Sequence, residues 1–187
     1  MARKTPSRTK KARGATKDPQ GRPRGGARTG TTTRGGPAAD AANAWRQRVS
    51  EDAQETVDTV VAHVRAVAEE QLGRHGQFPA FLVTARKDGE YELDTLPPEQ
   101  LEQLSPGAAL EALRAKAAGL RDELVCAGLA FPVTLPDRSG QTAVAVETEH
   151  REGGALTVVL PYRVKGAERA VGFGDASVDP AERWLWP

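Results

Sequence analysis

The first 36 residues carry eleven basic side chains against one acid, Asp18, and only one large apolar residue, Met1. Such a segment has almost nothing to bury and cannot offset the entropy of ordering, so a disordered basic tail is expected over residues 1–37. A packed core must therefore come from residues 38–187, read as a single domain. After residue 36 the chain holds 15 basic and 24 acidic side chains, so a tail of net +10 precedes a body of net −9. A body of about 150 residues buries roughly two-thirds of the surface its unfolded chain exposes, which suffices for one core.

The tail cations are Arg3, Lys4, Arg8, Lys10, Lys11, Arg13, Lys17, Arg22, Arg24, Arg28 and Arg34. A flexible chain with this excess attracts polyanions by releasing their condensed counterions. The tail has no aromatic side chain to stack on bases, so nucleic-acid binding through it is expected to be electrostatic and tolerant of sequence. An acidic membrane surface would serve the same charges. Rival readings are a solubilising leader, an arm folded onto the acidic body, and an organelle transit peptide. The last is disfavoured by the prolines and by Gly25-Gly26 and Gly35-Gly36, which break the amphipathic helix such peptides form.

Cys126 is the only cysteine, which excludes an internal disulfide framework and any Cys-rich zinc site. A reducing cytoplasm is the expected location. No apolar run reaches the 18 or so residues needed to span a bilayer, and the N-terminus lacks the apolar middle of a secretory signal.

Within the body, Asp40 caps a helix that continues past Ser50, where Glu51 and Asp52 offer a second start; either the helix kinks near Ser50 or its end projects toward a partner. Val57, Val60, Val61, Val64, Val67, Ala68 and Leu72 then form one apolar face, with Gly73 as the stop. Phe78 to Arg86 is apolar on both faces and reads as an interior strand. It is joined to Tyr91–Leu93 by a hairpin turn at Asp88-Gly89. Ser105-Pro106 opens a second helix whose stripe is Leu110, Leu113, Ala117, Leu120 and Leu124, ending near Gly128. Three alternating strands follow, over 129–135, 144–150 and 156–162, with a shorter one around Val171–Phe173. Pro132 and Pro161 suit edge positions or strand ends.

The expected fold class is α+β: an antiparallel sheet of about five strands with two main helices, in the order α-β-β-α-β-β-β. That order resembles the roadblock or profilin-like arrangement, whose members commonly act as dimeric scaffolds. The likeness is one of topology and transfers no residue role. Gly76-Gln-Phe78-Pro-Ala-Phe81, Asp88-Gly-Glu90, Glu147-Thr-Glu149-His150 and Leu160-Pro-Tyr162 also resemble segments of small bacterial α+β proteins without an assigned activity.

Glu147, Glu149 and His150 are the densest titratable cluster. Alternation along a strand puts the two acids on one face and the histidine on the other, so the three cannot easily converge. Solvated acids and a half-buried histidine are expected. His63, His75 and His150 are scattered without HxH or HxxxH spacing, so no metal site is expected. Cys126 has apolar neighbours and reads as a buried, unreactive thiol. Gly172-Phe-Gly174-Asp-Ala-Ser177 has two glycines of a dinucleotide fingerprint, but Asp175 would repel a pyrophosphate and the segment reads as a turn. Ser139-Gly140 lacks the flanks of a nucleophile elbow. Trp184 and Trp186 give the C-terminus an aromatic weight that either seals the domain or docks on another chain.

These features point to a non-enzymatic interaction or regulatory protein without a cofactor. Its body binds a protein partner or itself, with Glu147, Glu149, Trp184 and Trp186 as contact residues, and its tail tethers it to nucleic acid or another polyanion. Two alternatives stand beside this. One is an immunity or regulatory protein whose acidic body masks a basic partner; the other is an enzyme with a site assembled from distant residues such as Glu149, His150 and Tyr162.

Overall fold

A computed structural model describes residues 43–136 and 140–187. The basic tail, with all eleven of its cations, and Ser139 lie outside the described residues. After a 3-10 turn, Ala44–Arg48, the chain kinks and Ser50 starts the long helix α1, Glu51–His75. The Ser50 hydroxyl accepts the Ala53 N–H, and Glu51 and Asp52 occupy the positive end of the helix dipole. Helix α1 runs through Gly73, the expected stop, because Gly76 supplies the left-handed cap instead. Its φ is +74°, and its N–H donates to the Leu72 carbonyl at 2.9 Å.

Strands β1 (Phe81–Arg86) and β2 (Tyr91–Thr95) form the hairpin, and two helices follow: the short α2 (Pro98–Gln103) and α3 (Pro106–Leu120). Then come β3 (Leu124–Leu135), β4 (Gln141–His150), β5 (Ala155–Lys165), β6 (Ala170–Phe173) and β7 (Ser177–Pro180). The expected class, α+β with an antiparallel sheet, is therefore present, but with seven strands and three helices among the described residues rather than about five and two. Helix α3 ends at Leu120, so Leu124 and Gly128, read as helical, belong to β3. Small residues on both faces of β3, Ala127 on one and Gly128 and Ala130 on the other, carry too little contrast to separate a buried strand from a helix end.

The sheet runs β2-β1-β3-β4-β5, and β6 and β7 share the outer edge of β5. Strand β7 pairs with Leu156–Val159 and β6 with Tyr162–Lys165, and Pro161, which has no N–H, falls near their junction. Val57, Val60, Val64, Ala68 and Leu72 of α1 pack on one face of the sheet, against Phe81, Val83, Cys126, Ala130, Val144 and Val146. On the opposite face, Ala109, Leu113 and Ala117 of α3 pack on Leu82, Ala127 and Leu129. This double cover explains why β1 is apolar on both faces. At Gly128 the close crossing of α1 leaves no room for a side chain, since a Cβ there would stand 2.6 Å from Val60 Cγ1. None of the described helices is long and apolar enough to cross a membrane.

Candidate interaction surface

The titratable cluster on β4 is divided by the pleat as alternation requires, but Glu149 is not solvated. It is 0% exposed. Arg183 Nε donates to Glu149 Oε1 at 2.7 Å and the Trp186 N–H to the same oxygen at 3.0 Å, while the Trp184 and Leu185 N–H groups donate to Oε2 at 2.7 Å each. Three consecutive backbone N–H groups and a guanidinium thus close on one buried carboxylate, pinning the C-terminal segment across the face that α3 covers. Leu185 is buried there, and Trp184 and Trp186, half-buried, pack against the same cluster. The aromatic C-terminus therefore seals the domain, and Glu149 is the acid that holds it. Nothing in the sequence paired Glu149 with a segment 34 residues further on.

Glu147, two residues earlier on the same face, bonds Arg114 of α3 at 2.5 Å, and Arg114 also bonds Glu111. It ties α3 to the sheet while remaining partly exposed. His150 is buried on the α1 side, opposite Cys126 in the β3–β4 register, and its Nδ1 accepts the Glu152 N–H at 3.2 Å. Burial lowers the His150 pKa from its ordinary value, and the nearby Glu152 carboxylate opposes that shift. Burial pushes the Cys126 thiol up to about 12, so it is held as a thiol rather than a thiolate. Tyr162 lies beyond the Ala143↔Pro161 pair, at the far end of β4 from Glu149 and His150. At ~3.3 Å per residue this is about 20 Å or more, so these three residues do not converge on a reacting atom. Among the described residues no three His, Cys, Asp or Glu side chains are placed to hold a metal ion.

The sequence reading missed a groove of about 270 Å³, bounded by Ala80 at the entry to β1, Leu101 and Leu104 at α2, Leu110 of α3, and Phe131 and Pro132 of β3. No charged residue lines it. Helix α2, which supplies one wall, went unread because six residues are too few to show a helical period. Glu99 and Glu102 lie on the exposed face of α2, turned away from Leu101 and Leu104, and neither forms an ion pair among the described residues.

The groove adjoins a free stretch of sheet edge. Strand β1 pairs with β3 only as far as Phe81↔Ala130, whereas β4 continues alongside β3 to Leu135↔Gln141. The Arg151 N–H donates to the Val125 carbonyl, which turns the odd residues of β3 toward β4 and the even ones away. Pro132 and Thr134 therefore face outward past the end of β1. Among the described residues the Thr134 N–H and the carbonyls of both have no strand beside them. In comparisons with known proteins, the chain matches no family model, no curated protein and no solved structure.

Proposed function

We propose that this chain is an interaction protein rather than an enzyme. Its body grips an apolar segment of a protein partner, and its basic tail tethers the assembly to nucleic acid or another polyanion. The observation that carries this reading is the uncharged groove of about 270 Å³. An apolar cleft with a polar rim is the usual form of a site for a partner's anchoring side chain. The side chains with the most reactive chemistry support the same reading, because each is occupied structurally: Glu149 by four donors, His150 by the Glu152 N–H and Cys126 by burial.

The charge of the body specifies the partner further. With a net −9 after residue 36, the apolar segment is flanked by basic residues. This retains what is distinctive in the alternative of an acidic body that masks a basic partner.

The tether is tested by titrating the full chain and a version lacking residues 1–37 against a fluorescent single strand and a duplex over a range of salt. Only the full chain is expected to bind, with affinity that falls steeply with salt and depends little on sequence. Equal binding by the shortened version would remove the tail from the account.

A further inference from the structure

An apolar cleft beside an unpaired strand edge is the combination that binds a peptide by strand addition, with main-chain bonds for affinity and a pocket for one side chain. Resting on the reading above, we propose that the partner's segment binds as an extra β-strand on the free edge of β3. The strand occupies the space beyond the end of β1, seats an apolar side chain between Leu101, Leu110 and Phe131, and carries basic residues that complement the acidic body.

The edge itself sets the pattern of bonds. The Pro132 carbonyl and both polar groups of Thr134 are on offer, but Pro132 has no N–H to give. An incoming strand can therefore make one more bond as donor than as acceptor, and two such edges paired with each other would lack a donor. The edge is thus shaped for a different strand and poorly suited to its own copy. The other open edge, β2, is less suited to a partner, because Glu92 and Asp94 are already engaged by Arg86 and Lys116 and charges blunt strand pairing.

The probe is a terminally blocked nonapeptide of alternating leucine and lysine carrying a neutral dye, titrated with the full chain by fluorescence anisotropy. The basic tail repels this probe, so binding reports the body. Thr134→Pro removes the outward N–H and breaks no bond of the native sheet, so it should fold normally and weaken binding about tenfold. N-methylation of alternate backbone nitrogens in the probe should do the same without altering the protein. Leu110→Glu, or Leu101→Glu if the first unfolds, should also weaken binding about tenfold, while Leu93→Glu on β2 should leave it unchanged. If Thr134→Pro and the N-methylated probe both bind as their parents do while Leu110→Glu weakens binding, strand addition is overturned and the groove stands. Failure of the probe to bind, or indifference to both groove variants, overturns the groove reading as well.

Discussion

Moving a carboxylate out of water costs several kcal/mol, and at Glu149 the four donors of the C-terminal segment offset that cost. Removing the acceptor leaves three backbone N–H groups, that of the buried Leu185 among them, without their partner. Glu149→Ala should therefore lower stability by about 3–5 kcal/mol in denaturant titration, with tryptophan emission shifted to the red as Trp184 and Trp186 detach. Unchanged emission would mean that the segment holds without its anchor. The sequence showed that Glu147 and Glu149 share a face, but not that a backbone loop from the chain's end would cap one of them. Alternation reports direction, whereas burial depends on contacts made far along the chain. His150 makes a second prediction. Its folded pKa lies below the ordinary 6.5, so on acidification the unfolded chain takes up the proton first. The stability this adds is complete above about pH 6.5 and is lost as pH falls toward the depressed value. Glu152, held low mainly by the Ser50 N–H, adds its own loss only below its ordinary 4.5. Unfolding free energy measured at pH 7.5 and 5.0 should fall for the native chain and stay nearly flat for His150→Gln. Equal slopes would show that this histidine is not the titrating group.

Elements anchored by strong local chemistry were legible: the kink at Ser50, the Asp88-Gly89 hairpin, the start at Ser105-Pro106 and the alternating strands β4 and β5. Those decided by tertiary contact were not. Helix α1 overruns Gly73 because one glycine inside a helix costs only about 1 kcal/mol, and the left-handed Gly76 supplies the cap three residues later. Strand β7 has four residues and exists through its pairing with β5. Gly128 looked like a helix end because a glycine after an apolar stripe usually is one, whereas its role is to admit Val60 of α1. Gly128→Ala should therefore destabilise the protein by about 1–3 kcal/mol by forcing α1 away from the sheet, a change visible in thermal unfolding. Ser50→Ala, which removes the cap of α1 and the hydroxyl's bond to the exposed Glu152, should cost about 1 kcal/mol.

At the scale of the whole molecule, a tail of net +10 precedes a body of net −9, and among the described residues that body carries an uncharged groove beside a stretch of β3 edge with no strand alongside. The split was legible from composition. The groove was not, because it needs a helix too short to read and a strand longer than its neighbour. If tail and groove act together, one copy of the chain holds a polyanion and a peptide at once. The direct measurement immobilises a DNA duplex and follows retention of the leucine–lysine probe, with a stoichiometric excess of protein covering the phosphates. The account predicts probe retained above the bare-duplex level with the full chain, and lost with Thr134→Pro, with Leu110→Glu or with residues 1–37 removed. Retention that survives all three changes, or that never exceeds the bare duplex, would contradict it.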